Sequence, residues 1–440
     1  MEPLERLIGS DDAIAARSQA HRPGATGRRR LILAGMAGNV MEWYDFSVYG
    51  YFAATLGRHF FPSADPVASL LAAFGVFAAG FLIRPVGALL FGHIGDRFGR
   101  QKALTLSVLC MAVPTFLIGV LPNHQQVGVA ASVLLVGLRL LQGLSVGGEF
   151  TTSVVFLVES AAPDRRGFMG SWSPFGATAG MLLGSAVGAL TSTIFSAAAV
   201  DAWGWRVPFL LGLTVGLTGL YLRRQPLETL PLRGAEQPPT SPVREAFRTQ
   251  WRAMLRVAVL NVLFAVGFYM VAVYAVTYMQ QIVHVRAAEA LDLNTLSLGV
   301  LVLTQLAAGT LSDRVGRKPL LVGSALGTLA LAWPLFWLMH QPVVSLMLMG
   351  QLGFAVLIGL FSGGLPAAMV EVLPARVRVS AVSIAYNLSL GVLGGTTPMA
   401  ATYLLAWSHD ALAPAYYLMG AAAVSLGMAL RWRETAQAPV

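Results

Sequence analysis

Two copies of one short polar stretch decide how this chain folds. The first reads Gly92-His93-Ile94-Gly95-Asp96-Arg97-Phe98-Gly99-Arg100-Gln101-Lys102, and the second reads Gly309-Thr310-Leu311-Ser312-Asp313-Arg314-Val315-Gly316-Arg317-Lys318. Each copy lies between two apolar runs, and about half of the 440 residues separate them. The only lysines of the protein, Lys102 and Lys318, end the two copies. A polar loop that recurs once per half is typical of a duplicated membrane bundle.

The composition indicates a membrane protein. Hydrophobic residues make up 56% of the chain, charged residues only 12%, and the mean hydropathy is +0.66. A soluble chain of this length needs more charge to cover its surface. The net charge of +9 does not indicate nucleic-acid binding, because the cations are spread over short loops instead of gathering on one face.

The sequence contains no pattern typical of an enzyme, a metal site or a cofactor site. The single Cys110 lies within an apolar run, so neither a disulfide framework nor a thiolate-metal cluster is expected. No His, Cys and Asp cluster has metal-ligand spacing, and no Gly-rich loop is followed by Lys and Ser or Thr. We therefore expect no catalytic residues, no metal and no cofactor.

Apolar runs of about 20 residues predict an all-α protein with twelve transmembrane helices. The predicted spans are 31–57, 67–92, 102–121, 127–158, 168–194, 203–222, 253–279, 290–310, 319–339, 343–370, 379–405 and 412–430. A stretch with Pro238, Pro239, Pro242 and both charge signs interrupts the pattern. We therefore predict an N-terminal tail (1–30), a six-helix bundle (31–222), a cytoplasmic linker (223–252), a second six-helix bundle (253–431) and a C-terminal tail (432–440).

The distribution of cations predicts the orientation in the membrane. If both termini are cytoplasmic, only Arg58, Arg206 and Arg286 among the Lys and Arg residues outside the spans fall on the outer side. The positive-inside rule favours this arrangement. We expect a multi-pass protein of the cell inner membrane, surrounded by the lipid bilayer, with both termini in the cytoplasm.

Further internal matches support the duplication and lead to a family. The stretch from Glu159 to Arg166 is echoed by Glu371 to Arg378 at a similar offset. Two six-span halves with a Gly-x-x-x-Asp-Arg-x-Gly-Arg-x-Lys loop in the first, repeated without the x before Lys in the second, resemble the major facilitator superfamily. Three stretches, Gly38–Phe46, Arg139–Glu149 and Arg166–Trp172, look like its metabolite:proton symporters, a group that includes carriers of proline and betaine, 2-oxoglutarate, citrate and shikimate. The resemblance implies two pseudo-symmetric bundles that work as a monomer by alternating access.

The repeated loops are candidates for a cytoplasmic gate. Gly92 and Gly99 allow close helix approach, Asp96 suits the positive end of a neighbouring helix, and Arg97 and Arg100 suit lipid headgroups. The resemblance implies that this loop closes the cytoplasmic side together with Glu159 and Arg166. It implies the same role for the second set, which comprises Asp313, Arg314, Gly316, Arg317, Glu371 and Arg378. For the arginines, a role in topology alone is an equally good explanation.

Ionisable residues within the first bundle predict the coupling chemistry. Asn39, Glu42, Asp45 and Tyr49 form one polar stripe on span one, and Arg139, Gln142, Ser145 and Glu149 form another on span four. Burial favours a neutral acid whereas a nearby arginine favours the carboxylate, and a proton carrier needs this competition. We therefore expect Glu42, Asp45 or Glu149 to carry the proton. The alternative is a structural ion pair, for example with Arg139.

The same reasoning selects substrate ligands. Arg139 lies deeper than Arg84 and is the better anchor for a substrate carboxylate, whereas Arg84, which precedes Pro85, could instead snorkel or bind freed carbonyls. The second half offers no deep charge, only hydrogen-bonding and ring groups: Tyr269, Tyr274, Tyr278, Tyr386 and Asn387. Each of these side chains could equally serve in packing or in the interfacial belt.

Together these patterns predict proton-coupled symport of a small carboxylate-bearing metabolite, either an organic acid or a zwitterion such as proline or betaine. Na⁺ is not excluded as the coupling ion. The match at Gly167–Trp172 favours the osmolyte branch. The following Ser173-Pro174 and the lack of a long C-terminal extension in this sequence count against an osmosensor. The alternatives are a drug or metabolite exporter of the same superfamily and a sensor derived from a transporter.

Overall fold

The computed structural model describes residues 25–98, 100–146, 149–224 and 242–436. Within these ranges all regular structure is helical. Nine described helical segments are long and apolar enough to cross a membrane, and two shorter apolar helices, Thr105–Val120 and Arg206–Thr218, add to them. These eleven segments and the first helix, Ala25–Tyr51, together correspond to the twelve spans that the sequence predicts.

The spans are numbered here along the chain. Spans 1 to 6 are Ala25–Tyr51 with Ala53–Phe60, Pro66–Leu82 with Arg84–Phe98, Arg100–Val120, Val129–Ser145 with Glu149–Glu159, Arg166–Ile194, and Arg206–Arg224. Spans 7 to 12 are Pro242–Leu260 with Val262–Tyr269 and Ala275–Gln281, Ala287–Val315, Arg317–His340, Val344–Glu371, Arg378–Ser389 with Thr397–Ser408, and Ala413–Arg431. π-helical turns at Met270–Tyr274 and Leu390–Gly394 lie within spans 7 and 11. The remaining short helices, all in loops, are His124–Val127, Pro163–Arg165, Ala197–Ala199 and Val200–Gly204.

Three local differences from the predicted spans affect the site. Span 2 is interrupted at Ile83, because Pro85 lacks an N–H and clashes with the preceding turn. Span 4 is interrupted after Ser145, although the sequence suggested one helix over 127–158. Span 7 begins at Pro242, eleven residues before the predicted start at 253, so the end of the predicted linker is helical.

Spans 5 and 8 form the seam between the two bundles and pack together at both ends. At one end Asn294 donates a hydrogen bond to the Ser185 hydroxyl at 3.0 Å, and at the other Asp313 binds the start of span 5. The repeat face is the end of the molecule that carries Glu159, Asp313 and Arg378. The far face is the opposite end, which carries Arg58 and Arg286.

Candidate functional site

A narrow cavity lies between the two bundles. Its lining combines side chains of spans 1, 2, 4 and 11: Glu42, Arg84, Val146, Glu149, Phe150, Thr151, Tyr386 and Asn387. The cavity volume is about 10 Å³, which is room for about one water molecule. The structure therefore brings five of the predicted site residues together around one small cavity: Glu42, Arg84, Glu149, Tyr386 and Asn387.

Glu42 and Arg84 face each other across this cavity. A carboxylate oxygen of Glu42 lies 3.3 Å from Arg84 Nη2, and both side chains are almost completely buried. The Arg84 guanidinium also lies over the Phe81 ring, 4.1 Å from its centroid. Because the helix restarts at Arg84, this side chain leaves the first turn of a new segment and points between the bundles. It neither snorkels nor binds freed carbonyls in the way the sequence suggested as an alternative.

Asp45 and Arg139 belong to a second polar chain inside the first bundle. Arg139 Nη1 donates to Gln142 Oε1 at 2.9 Å, and Gln142 Nε2 donates to the Thr115 hydroxyl at 2.6 Å. That hydroxyl donates its own proton to the Met111 carbonyl at 2.9 Å, and the Asp45 carboxylate lies beside it and within electrostatic range of Arg139. Four buried side chains on spans 1, 3 and 4 are thus linked one to the next.

The position of Arg139 differs from the sequence-based expectation. Its guanidinium is completely buried and lies 4.3 Å from the ring centroids of Phe46 and Tyr49. It does not line the cavity, whereas Arg84 does. The break in span 4 separates Arg139 and Glu149 onto two helical segments. Arg84, and not the arginine that the sequence placed deeper, therefore lines the cavity.

Aromatic rings of both bundles meet beside the cavity. Phe150 stacks on Tyr386 with 4.7 Å between the ring centroids. The Trp43 ring packs edge-on against Phe268 at 5.3 Å and lies 5.8 Å from Tyr269. The buried hydroxyls of Tyr269 and Tyr386 have no hydrogen-bond partner among the described residues. Rings and free hydroxyls of this kind suit a small ligand with an apolar body and a charged group.

Other predicted ligands lie elsewhere. The Tyr278 hydroxyl is 3.0 Å from His340 Nδ1, near the far-face end of span 9, and Tyr274 packs beside Tyr278. Asn39 donates to the carbonyl of Ser173 on span 5 at 3.3 Å. None of these three residues lines the cavity. Their positions are compatible with the packing roles that the sequence left open.

At the repeat face, Asp313 joins the two bundles. Its carboxylate oxygens accept hydrogen bonds from the main-chain N–H groups of Gly167 at 2.7 Å and Phe168 at 2.8 Å. These groups are at the start of span 5, where free N–H groups and the helix dipole favour an anion. A Cβ at Gly309 would lie 2.6 Å from the Gly167 carbonyl oxygen, so only glycine permits this approach.

Arg317 extends this contact within the second bundle. Its Nη1 donates to Asp313 at 2.8 Å, and its Nε and Nη2 donate to Glu371 at 3.3 and 3.0 Å. The Thr435 hydroxyl donates to the same Glu371 carboxylate at 2.7 Å. Asp313, Arg317 and Glu371, three predicted gate residues, therefore form one connected and largely buried network.

Glu434, the residue directly before Thr435, completes the start of span 9. Glu434 accepts main-chain N–H bonds from Arg317 at 2.9 Å and Lys318 at 3.0 Å, directly after Gly316, whose φ is 99°. Burial raises the pKa of this carboxyl, but hydrogen bonds from four main-chain N–H groups outweigh burial and hold the pKa below its usual range. Sequence reasoning missed Glu434.

Glu159 and Arg378 form a second connection between the bundles. The Arg378 guanidinium donates to Glu159, and its Nε donates to the Leu373 carbonyl. Arg166 lies within electrostatic range of Glu371, Arg317, Arg378 and Asp313. Arg97 and Arg314 are exposed. Gly99 lies outside the described residues, and the surroundings of Gly92, Asp96 and Arg100 are not described either. The gate role of the first copy therefore stays a prediction.

Sequence reasoning missed several side chains that shape the centre. Phe46 lies between the two buried arginines, Thr115 links Asp45 to Gln142, and Trp43 and Phe150 supply rings of the first bundle. Thr115 lies within an apolar run, and the sequence gives no way to distinguish a threonine that belongs to a site from one that packs in an ordinary helix. Trp43 and Phe150 directly follow Glu42 and Glu149, which the sequence had already selected. This adjacency could have indicated that the two rings lie near the site.

Comparisons with known proteins agree with this architecture. The model of the Major Facilitator Superfamily matches residues 35–395. The chain is 38% identical to the glycine betaine/proline/ectoine/pipecolic acid transporter of Dickeya dadantii, over 94% of this chain and 84% of that protein. It is 37% identical to the proline/betaine transporter of Escherichia coli K12, over 94% and 85%. It is 35% identical to the citrate-proton symporter of Klebsiella pneumoniae, over 90% and 89%.

Solved structures show the same fold. A partially occluded inward-open xylose transporter from Escherichia coli superposes with a TM-score of 0.71, covering 94% of this chain and 100% of that one at 18% identity. A D-xylose-proton symporter gives a TM-score of 0.70, covering 93% and 99%, also at 18% identity. At this identity the likeness concerns the fold alone.

Proposed function

Because the chain belongs to the major facilitator superfamily, we propose that it is a secondary active transporter that carries a small zwitterion together with a proton across the bacterial inner membrane. The fold class predicted from the sequence is confirmed by this membership. Relatives named for proline and betaine match nearly the whole chain, and so does a relative named for citrate. The charges around the cavity favour the zwitterion.

The observation that carries the proposal is that two carboxylates and one guanidinium line the same cavity. Glu42, Glu149 and Arg84 together have a formal charge of one negative unit when all are ionised. One bound proton brings this sum to zero, and a zwitterion, which has no net charge, keeps it there. A polyanion such as citrate would place additional negative charge beside two acids in a medium of low dielectric constant, which is unfavourable.

The Glu42–Arg84 contact supplies a coupling mechanism. While Glu42 is ionised it attracts the Arg84 guanidinium, which is then less available to a substrate. A proton on Glu42 removes this attraction and frees Arg84 to bind the substrate carboxylate through two parallel hydrogen bonds. The cationic nitrogen then faces Glu149 and the stacked rings of Phe150 and Tyr386. Proton and substrate therefore favour each other's binding.

The two connections at the repeat face provide the other part of the cycle. Asp313 and Glu159 each bind the opposite bundle there, so this face is closed while both contacts persist. We propose that the repeat face is cytoplasmic, that both termini lie on that side, and that the bundles of residues 31–222 and 253–431 rock about the central cavity as a functional monomer. Release of the substrate to the cytoplasm then requires both connections to separate.

The test is uptake by the purified protein in liposomes. With an acid-outside gradient we expect accumulation of radiolabelled proline or betaine, none without a gradient, and no accumulation of citrate. A Na⁺ gradient at equal pH on both sides is the matched control for the coupling ion. Gradient-driven accumulation of citrate without either zwitterion would contradict the substrate class. Accumulation driven by Na⁺ alone would contradict proton coupling.

A further inference from the structure

The first part of span 7 presents two exposed stripes on one helix. Val243, Phe247, Trp251 and Leu255 recur every four residues, and each is between 43% and 54% exposed. Arg244, Arg248, Arg252 and Arg256 recur with the same spacing and are all exposed. At 100° per residue each set covers about a third of the helix circumference, and the two arcs adjoin. The helix thus has an apolar side next to a strongly basic side.

The opposite side of this helix faces the protein. Ala246 and Val257 are buried, and the helix packs against the start of span 11. Glu245 pairs with Arg376, in the loop between spans 10 and 11, at 3.0 Å. The pairing places this part of span 7 at the repeat face, and it fixes the rotation of the helix about its axis. Both stripes are therefore held outward.

The length of span 7 places the stripes at the edge of the bilayer. Its apolar helical segment covers 39 residues, Val243–Gln281. At 1.5 Å per residue that is about 58 Å, whereas a hydrocarbon core is about 30 Å thick. The excess lies at the repeat face, where the first turns reach the headgroup region. Exposed Phe247 and Trp251 beside a row of arginines are typical of a helix that lies in this interface.

We propose that this row of arginines is a binding site for anionic phospholipid headgroups. The apolar stripe, Val243 to Leu255, contacts the acyl chains, while the arginine stripe, Arg244 to Arg256, binds headgroup phosphates through its guanidinium forks. The Arg252 guanidinium lies 5.3 Å from the Trp251 ring centroid, so the ring holds one of these cations at the boundary of the two stripes. Charge complementarity identifies the lipid: four exposed cations match an anionic headgroup and gain little from a zwitterionic one.

The test is native mass spectrometry of the full-length protein, released from detergent in the presence of phosphatidylglycerol or phosphatidylcholine. We expect retained phosphatidylglycerol and at most weak retention of phosphatidylcholine. The Arg248→Gln/Arg252→Gln variant should lose phosphatidylglycerol affinity by about fivefold per arginine, or about 25-fold in all. The matched control is Arg431→Gln/Arg433→Gln, which removes two exposed cations at the end of span 12, and it should retain the wild-type affinity.

Three results would overturn the proposal. They are equal retention of both lipids by the wild type, unchanged phosphatidylglycerol retention in the span 7 variant, and an equal loss in the span 7 and span 12 variants. The last result would mean that net charge alone governs retention. Thermal unfolding of both variants checks that they are folded, and we expect both to remain within a few degrees of the wild type because the four side chains are exposed. Adding free inorganic phosphate should not displace the lipid, since the acyl chains also contribute to binding.

Discussion

The carboxylates of the repeat face and those of the centre have different surroundings. Asp313 accepts two main-chain N–H bonds and one from Arg317, all between 2.7 and 2.8 Å. Glu42 meets Arg84 at 3.3 Å, longer than the 2.7–2.9 Å usual for a charge-assisted hydrogen bond. The short hydrogen bonds fix the Asp313 carboxylate between the two bundles. The longer Glu42–Arg84 pair lines the central cavity, and this difference is why we propose Glu42 as the proton site and Asp313 as part of the closure.

The largest expected effect tests the central acid. Glu42→Gln removes the proton site while keeping the side-chain shape and leaving Arg84 free to bind a substrate carboxylate. Proton-gradient-driven uptake should fall by at least about 100-fold, the scale on which a positioned proton-transfer group contributes. Exchange of labelled for unlabelled substrate should remain measurable, because it needs no net proton movement. Both are measured in liposomes.

The matched control is Asp164→Asn at an exposed carboxylate of the repeat face, which should leave both rates unchanged. If Glu42→Gln still concentrates the substrate, the proton site is not Glu42. In that case Glu149→Gln and Asp45→Asn separate the two other acids that the sequence selected.

The next effect tests the repeat face. Asp313→Asn keeps the shape but weakens the bonds to Gly167 and Phe168 and the pair with Arg317, each a charge-assisted contact of about 1.5–3 kcal/mol. The equilibrium should shift by at least about tenfold toward an open repeat face. Spin labels at Arg165→Cys and Arg376→Cys, in a Cys110→Ala background, report the distance between the bundles.

Arg314→Gln is the control for this variant, because Arg314 follows Asp313 in the last turn of span 8 and its side chain is exposed. It should leave the distance distribution unchanged. An unchanged distribution in Asp313→Asn would show that the Glu159–Arg378 contact closes this face without help from Asp313.

The smallest effect concerns Glu434. Glu434→Gln removes the negative charge at the start of span 9 and should lower the free energy of unfolding by about 0.3–1 kcal/mol, the usual range for a partly exposed charge at a helix N-terminus. Because the pKa of Glu434 lies below its usual range, its contribution is present at neutral pH and is lost as the pH falls through that lowered value.

Thermal unfolding at several pH values, on wild type and Glu434→Gln, measures this effect. The difference between the two proteins should be constant near neutral pH and should disappear at acid pH. A difference that persists at acid pH would mean that the glutamate acts through its hydrogen-bonding geometry and not through its charge.

Much of the fold could be predicted because the bilayer imposes it. A span needs about 20 apolar residues, and the loops must carry the charge, so hydropathy alone located all twelve spans. The repeated Asp-Arg-x-Gly-Arg loop then indicated the duplication. The predicted start of span 7, residue 253, lies eleven residues after the observed start of the helix. These additional turns leave the hydrocarbon core, where polar residues are as acceptable as apolar ones, so hydropathy does not indicate them.

The site was only partly predictable, because helix periodicity gives the side of a helix and not its neighbour. It correctly grouped Glu42 with other buried polar residues of span 1 but could not say that Glu42 meets Arg84 whereas Asp45 joins the Arg139 chain. Spans 2 and 4 are interrupted at Ile83 and after Ser145. A helical wheel that treats each span as one continuous helix therefore assigns the residues after the interruption to the wrong side of the helix. Contacts such as Glu434 with Arg317, 117 residues apart, leave no local pattern at all.

The contact at Asp313 has a consequence for how this protein tolerates sequence change. Its partners on span 5 are amide groups, which every residue except proline supplies, so the identity of the Phe168 side chain is irrelevant to the bond itself. Other changes along that helix therefore leave this bond intact as long as glycine remains at both 167 and 309, since a Cβ at Gly167 would lie 2.4 Å from the Gly309 carbonyl oxygen and one at Gly309 would lie 2.6 Å from that of Gly167. Proline at 168 would remove one of the two N–H groups that bind Asp313, so it should weaken this contact where a change of the Phe168 side chain alone would not.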